Sequence, residues 1–420
     1  MTDATPAFDV VLFGPTGVTG REVARHLHRR APDLGLTWAV AGRDRNRIEQ
    51  TLASVGAEPA DILHADTDDK RSIESMVGAA TVVADLVGPF VRHGEPVYAA
   101  CARAGTHCID PCGEIDWVLD MIRRYDDRAT ESGAIIVPTA GFEALPFDLG
   151  ALLAAHLLHE RTGLGVASID VAVTITSDRD LRVRSAADAV SGGTFASGLE
   201  QLRRGRPEVS DPHLLDTGDR RSGRYDLRPR KHSGTGRWLS PMVPSPFLNP
   251  PVVHRSASLL RDSGDTIHAP DFEYREGVDT AGMLPGLLAA PAAVAGSLLA
   301  IGMGTLTGAR EKVRRSVVDA LERIGPSPGD GPRPEDLDRW RYRLDVRAVD
   351  ASGGTQDVVV EAHGHPGYKS TATILGEAAL ALADPDAPTP DGAGFLTPAT
   401  ALGLGVLDRF EHAGMRIRPA

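Results

Sequence analysis

Along the first third of the chain, short apolar runs alternate with stretches in which apolar residues recur every three or four positions. The runs predict strands buried on both faces, and the periodic stretches predict the helices that cross between them. Strands are expected at Phe8–Gly14, Trp38–Arg43, Ile62–Asp66, Thr81–Gly88, His107–Asp110 and Ala134–Pro138. Helices are expected over about 17–30, 45–56, 69–79, 94–105 and 115–132. Such alternation makes a parallel sheet with right-handed crossovers.

After Leu149 the rhythm changes. Ser168–Thr176 alternates at period two, as a sheet with one wet face should. Arg341–Val349 and Asp357–His363 flank Ser352-Gly353-Gly354 and predict a hairpin. Residues 205–265, rich in Arg, Pro, Gly and Ser, read as a long irregular excursion, and two helices are expected near 369–383 and 397–411. The expected fold class is α/β: a Rossmann-type doubly wound parallel sheet over 1–149, then a second α+β domain over 150–368 containing an antiparallel sheet.

One segment breaks the amphipathic pattern. From Ala281 to Ala309 no residue is charged, a length beyond the roughly 20 residues that cross a bilayer. Its Ala and Gly content, with Pro285 and Pro291, keeps it only modestly hydrophobic. The expected reading is a buried helical hairpin or a homodimer interface; a membrane- or lipid-contacting element is the alternative.

Composition narrows the classes. At 420 residues the chain exceeds one ordinary core, and 42% hydrophobic with 24% charged residues is a globular balance. A net charge of -12 argues against nucleic acid as a partner, because phosphate binding needs a cationic surplus. Cys101, Cys108 and Cys112 lie close together, have no C-x-x-C pair and read as small apolar packing residues rather than a metal site. The first twenty residues show no signal-peptide pattern, so a cytoplasmic location is expected, with contact to the inner face of the plasma membrane left open by 281–309.

The chemistry concentrates at Gly14-Pro-Thr16-Gly17-Val18-Thr19-Gly20, between a strand and a helix. Glycines there permit a tight turn and let a pyrophosphate approach bare backbone, while the helix start offers free N–H groups and a positive dipole end. Thr16 and Thr19 add hydroxyls. An acid at the end of the second strand would select NAD through the ribose 2′-OH; this chain instead has Arg43, with Arg45 and Arg47 behind it, which favours the 2′-phosphate of NADP. Asp66 reads as a contact to the adenine edge or as a helix N-cap. Gly88 and Pro89, after the fourth strand, are expected beneath the nicotinamide ribose, and His93 is a candidate proton donor.

Phe13–Gly20, Ala41-Gly-Arg43, Val87-Gly-Pro-Phe90, Ala100–His107, Gly113-Glu114, Ala140–Asp148, Gly367–Thr371 and Leu396-Thr-Pro398 follow one another in the order of a known family. The set resembles the saccharopine dehydrogenase-like oxidoreductases, and among them the trans-acting enoyl reductases of actinobacterial lipid and polyketide pathways. The resemblance implies C-terminal helices, 369–420, that return to the Rossmann domain. It also implies reduction of a carbon–carbon double bond in an acyl intermediate presented by a separate synthase or carrier protein. Departures are Cys108, where relatives commonly have an aromatic, Glu143, where they have Asp, and the Pro111–Cys112 pair.

For that reaction Tyr368, beside Lys369, is the first candidate proton donor, since a neighbouring ammonium eases loss of a phenol proton. Packing at the domain junction is the alternative role. Glu114 and Asp148 are further candidates, or structural groups at helix ends. An amino-acid dehydrogenase of the saccharopine kind is the competing reading, with Arg179, Arg182 and Arg184 available to clamp a dicarboxylate. A cofactor-binding scaffold that handles lipid without turnover is the third.

Overall fold

The computed structural model describes residues 6–178, 181, 192–217, 222–242, 247–280, 286–326 and 331–420. In chain order the first half comprises β1 (Phe8–Phe13), α1 (Val18–Arg30), β2 (Trp38–Gly42), α2 (Arg45–Val55), β3 (Ile62–His64), α3 (Lys70–Gly78) and β4 (Ala80–Asp85). It continues with α4 (Phe90–Ala104), β5 (His107–Ile109), α5 (Ile115–Ser132), β6 (Ile135–Val137) and α6 (Leu145–Thr162). The second half has β7 (Val166–Ser177), α7 (Gly192–Arg204), β8 (Arg230–Lys231), β9 (Trp238–Ser240), α8 (Asn249–Asp262) and β10 (His268–Asp279). Then follow α9 (Gly286–Thr307), α10 (Glu311–Ile324), β11 (Trp340–Asp350), β12 (Thr355–His363), α11 (Thr371–Ala383), β13 (Gly394–Phe395), α12 (Pro398–Leu402), α13 (Leu407–His412) and β14 (Met415–Pro419).

The first sheet is parallel, in the order β13-β6-β5-β4-β1-β2-β3. Because neighbouring side chains on a strand face opposite ways, β1 feeds two cores. Val10 and Leu12 join Leu27 of α1 and Ile374 and Leu375 of α11, whereas Val11 and Phe13 join Ile73 of α3, Val97 of α4 and Val118 of α5. The chain turns back between β1 and β4, and the crevice at that switch point is where open α/β sheets bind ligands. One strand more than the pattern predicts is present: β13, two residues from the C-terminal region, pairs with β6. A two-residue strand carries no periodicity to read.

The second sheet runs β14-β12-β11-β7-β10-β9-β8. It is mixed rather than antiparallel, because β7 and β10 are parallel neighbours. A parallel pair needs a crossover, and α8, which packs on β10, lies in it. That helix falls inside the stretch expected to be irregular; its opening Asn249-Pro250-Pro251 reads as loop but also suits a helix start, where the missing N–H groups cost nothing. The 397–411 helix is broken into α12 and α13 at Gly403, whose φ is +64°. The chain then ends as β14 in the second sheet. Helix α6 is buried nearly all round, packed on β11 and β12, and its core is continuous with that of the first sheet.

The apolar segment departs from the buried reading. Within Leu288–Thr307 only 22% of the most apolar window is buried. Residues 281–285 lie outside the described residues.

Candidate active site

The three glycines of the opening turn do three different things. Gly14 has φ +88°, and a Cβ on it would lie 2.8 Å from Val87 Cγ2, so the turn after β1 presses against the turn after β4. A Cβ on Gly20 would run into the Gly14 carbonyl oxygen, so that glycine lets α1 close on its own entry. Gly17 is the N-cap of α1 with no side-chain cap, and a Cβ there would meet nothing within 4 Å. The first two are required by the protein itself. The third leaves bare backbone facing open space, where a phosphate pair can approach the helix N-terminus.

Beside it opens a cleft of about 420 Å³ lined by Thr16, Gly17, Val18, Arg21 and Arg47, with α2 as its far wall. Among the described residues, the guanidiniums of Arg21, Arg43 and Arg47 make no ion pair or hydrogen bond. Arg45 is different: it pairs with Glu49 at 3.0 Å and donates to the Ile62 carbonyl at 3.0 Å, fastening α2 to β3. Arg43 is exposed just beyond β2 and outside the cleft wall. Arg21, one helical turn after Gly17, was not singled out from sequence; its i+4 spacing from the N-cap glycine was the available signal. A 2′-phosphate fits this corner because unpaired cations and free N–H groups already surround it.

Asp66 is not the N-cap of α3, a role held by Asp69, which accepts from the Arg71 N–H. Asp66 Oδ1 accepts from the Asp68 N–H at 3.1 Å. Next to it, Thr67 Oγ1 lies 3.1 Å from His93 Nδ1. His93 therefore sits with the β3–α3 loop, beside Asp66. Helix α4, which carries it, starts four residues earlier than predicted, because the Glu114 carboxylate accepts the Phe90 and Val91 N–H groups at 3.0 and 2.5 Å. Glu114 is thus a helix-end group, as one of the two sequence readings had it. Burial pushes its carboxyl up, against hydrogen bonds from Ser197, Val91 and Phe90.

Gly88 is exposed at the carboxyl edge, joined to Pro89 by a cis peptide. Helix α7 lies across this point: Ser197 reaches Glu114, Glu200 pairs with Arg92, and Arg204 binds Asp116 and Asp120 at 2.5 and 2.7 Å. Tyr368 arrives from the other side, on the turn Pro366–Ser370 that packs against α1. It is buried, with its hydroxyl 3.4 Å from Thr194 Oγ1 of α7. Lys369 does not face that phenol. Its ammonium holds Glu22 of α1 at 3.0 Å and Asp338 at 3.6 Å, since adjacent residues of one turn diverge. Tyr368 and Gly88 are joined through α7, whereas His93, one turn beyond Pro89, faces Thr67 of the β3–α3 loop.

Behind this edge lies a set of buried acids. Asp85 closes β4 and Asp110 follows β5. Tyr98 donates to Asp110 at 2.5 Å, and the Cys112 N–H does so at 2.8 Å. Burial nevertheless pushes Asp110 up to about 7 and Asp85 well above the usual carboxylate range. The three cysteines are free and buried in the same core.

The loop from β6 to α6 is the most strained backbone near the edge: Thr139 and Ala144 have φ of +60° and +79°. Distant residues hold it there. Thr371 Oγ1 accepts the Phe142 N–H at 2.9 Å, and Asn249 Oδ1 accepts the Ala144 N–H at 3.0 Å. Asn249 in turn donates to both oxygens of Glu276, whose carboxyl burial raises to about 7 and which Tyr274 also contacts at 2.8 Å. Glu143 rides on this loop, its carboxyl raised by burial. Asp148, raised to about 6 by burial, accepts from Ser256 at 2.6 Å and from the Ala399 N–H at 2.8 Å, so it caps α12. The motifs Ala140–Asp148, Gly367–Thr371 and Leu396–Pro398, far apart in sequence, meet here. Glu276 and Asn249 were missed from sequence because an isolated Glu and Asn carry no pattern. Arg179, Arg182 and Arg184 lie outside the described residues.

A glycine turn at the switch point of a doubly wound sheet, with unpaired arginines beside it, is the architecture of an NADP-binding oxidoreductase domain. The sequence model of the saccharopine dehydrogenase NADP binding domain matches residues 10–137, spanning β1 to β6. The chain is 32% identical to a trans-acting enoyl reductase of Mycobacterium ulcerans, with 99% of this chain and 98% of that protein aligned. The same figures hold for a trans-acting enoyl reductase of Mycobacterium tuberculosis. Among solved structures, saccharopine dehydrogenase (L-Glu forming) from Saccharomyces cerevisiae superposes with a TM-score of 0.51 at 14% identity, covering 98% and 99% of the two chains. Homospermidine synthase from Legionella pneumophila gives 0.52 at 10% identity, covering 98% and 90%. These two show a shared fold. This chain belongs to the trans-acting enoyl reductase family of saccharopine dehydrogenase-like oxidoreductases, and its first sheet is an NADP(H)-binding domain.

Proposed function

We propose that this protein reduces a carbon–carbon double bond of a polyketide or lipid acyl intermediate presented by a separate synthase, with NADPH as the reductant. The full-length similarity to trans-acting enoyl reductases supports the reaction. The observation that carries it within the structure is the chemistry of the reacting end. Around Gly88 and the β6–α6 loop stand hydroxyls and carboxyls: Thr194, Ser197, Tyr368, Glu114, Glu143 and Glu276. A dicarboxylate amino acid needs cations, and none is among these described groups; Arg179, Arg182 and Arg184 lie outside the described residues. Arg230, the cation that acts on Glu276, is itself paired with Asp170 at 2.6 Å.

Bound NADPH supplies the hydride taken up by the β-carbon of the conjugated acyl group. The bare backbone at Gly17 would take its phosphates, Gly14 and Gly20 closing the turn that leaves it bare, and Arg21 and Arg47, with Arg43 exposed beside them, would meet the 2′-phosphate. Asp66 faces the adenine end. Gly88 and Pro89 would lie beneath the nicotinamide ring. The Tyr368 hydroxyl, held by Thr194, gives the α-carbon its proton and completes the saturated product. Tyr368 acts here without help from Lys369.

The test is NADPH consumption by the purified chain with an α,β-unsaturated thioester, against an α-keto acid plus an amine. The proposal predicts oxidation with the thioester alone. Oxidation with the keto acid and amine alone would contradict it.

A further inference from the structure

Helix α9 is inside out for a helix that faces water. Its inner stripe is made of small residues: Ala289, Ala293, Ser297 and Ala300 are buried. A Cβ on Gly296 would collide with Ser240 Oγ of β9, and one on Gly304 would lie 3.3 Å from the Phe247 ring. Thr280 fastens the helix start, donating to the Ala289 carbonyl at 2.8 Å and lying 3.0 Å from that of Trp238. Its outer stripe carries the large apolar side chains. Leu288, Val294, Leu298, Leu299 and Ile301 are 52, 46, 65, 55 and 44% exposed. A water-facing helix places these two classes the other way round. An exposed stripe of this kind marks a surface that something apolar covers.

The charge pattern says what covers it. No charged residue occurs from Ala281 to Ala309, and then Arg310, Lys312, Arg314 and Arg315 follow with one intervening acid, Glu311. Arg314 donates to the Ala309 carbonyl and Arg315 pairs with Glu311 at 2.5 Å, whereas Arg310 and Lys312 are exposed and unpaired among the described residues. In a chain of net charge -12 this is a local cationic collar at the end of an uncharged apolar stripe. An anionic lipid surface complements both parts: acyl chains meet the leucines, and headgroup phosphates meet the collar. The acidic remainder of the molecule is repelled by the same surface, so one orientation is favoured. Since its inner stripe is fixed to β9, α9 lies in the plane of the surface and does not cross it.

We propose that α9 is an interfacial helix that seats this protein on the face of an anionic bilayer. Helix α10, which follows α9 in the chain, links this face to the reacting end. Helix α10 pairs with α7 through Glu322 and Arg203, and α7 presents Thr194 and Ser197 at the cleft. Seating would bring the reacting end near the surface from which a lipid-like acyl chain comes. That last link rests on the proposed enoyl reduction; bilayer binding does not.

The experiment is flotation of the full chain with vesicles of phosphatidylcholine alone and of phosphatidylcholine with phosphatidylglycerol, at low and high salt. NADPH titration on the same samples reports the cofactor domain independently. The wild-type chain is expected to float with the anionic vesicles and to be released by salt. The Leu298→Asp/Leu299→Asp variant is expected to lose at least tenfold in vesicle affinity and to bind NADPH unchanged, with Arg310→Glu/Lys312→Glu losing less. Absence of flotation, flotation untouched by the leucine substitutions, or a light-scattering dimer that those substitutions dissolve would each overturn the proposal, the last by assigning the face to a second copy.

Discussion

At the phosphate end, the cleft is built from one contiguous stretch, Gly14–Gly20, with Arg21 and Arg47 close by in sequence and without partners among the described residues. The proposed reacting end is drawn from Gly88, Glu114, the 139–144 loop, α7, Asn249, Glu276 and Tyr368, spread over most of the chain's length. The first end is open and cationic. The second is enclosed and acidic, with carboxyls pushed toward neutrality by burial. A phosphate pair needs only a tight turn and a helix start, so local sequence can specify its seat. A substrate site has to be shaped by long-range contacts, and its hydrogen bonds join residues such as Ala144 and Asn249, or Phe142 and Thr371.

The sharpest way to break that contrast is Tyr368→Phe. It should lower single-turnover reduction on the order of a hundredfold, about 3 kcal/mol in the barrier, and leave NADPH affinity within about twofold. A turnover loss matched by an equal loss of NADPH binding would mean that Tyr368 serves the phosphate end instead.

The enclosed acids give the next largest effect. Asp110 and Glu276 at about 7 and Asp148 at about 6 lie above the unfolded carboxyl value near 4, so the fold favours their protonated forms. Their stabilisation is fully present below about pH 4 and is lost as pH rises through 6 to 7. Each carboxyl at about 7 should therefore lower the unfolding free energy by on the order of 2 kcal/mol between pH 5.5 and 8, by urea titration. Asp110→Asn should flatten that slope. Glu377, beneath α1, is built the opposite way: burial raises its carboxyl, but His26 and Arg30 hold it down at about 2. Its contribution is present above about pH 4.5 and is lost toward pH 2. A stability that rises steadily from pH 5.5 to 8 would contradict the reading of the acidic end.

Gly17→Ala and Gly20→Ala separate space reserved for a ligand from space the protein itself closes. The added methyl at Gly17 meets no protein atom, so its thermal midpoint should shift by only a few degrees, the cost of a poorer N-cap, while NADPH affinity falls about tenfold. At Gly20 the methyl strikes the Gly14 carbonyl, and folding and binding should fail together. The smallest effect is expected from His93→Gln. That side chain answers to Thr67, and turnover should stay within about threefold of the parent. A larger loss would move the proton donor to His93.

Legibility in the sequence followed the range of the interactions. The strand–turn–helix rhythm and the glycine spacing are local, and the parallel sheet and its turn were read from them. Arg45 looked as available as Arg47 because nothing in the sequence shows that Glu49 and the Ile62 carbonyl occupy it. Lys369 looked like a partner for Tyr368 because adjacency in sequence does not give direction on a turn; Glu22, from the opening helix, takes the ammonium. The parallel β7–β10 pair was hidden behind a proline-led helix start. In 281–309, apolar content was visible but its arrangement was not: from Leu288 on, small residues face in and large ones out. Helix α11 makes the contrast, since a similarly apolar sequence there is buried along its whole length.

The central claim is that bare backbone at Gly17 and the unpaired arginines beside it seat the phosphates of NADPH. Its most direct measurement is a fluorescence titration of NADPH and NADH into the parent chain and an Arg21→Ala/Arg47→Ala variant. Tighter NADPH binding by at least tenfold in the parent, collapsing toward the NADH value in the variant, is the predicted result. Equal or tighter NADH binding by the parent, or a preference for NADPH that survives the loss of both arginines, would contradict it.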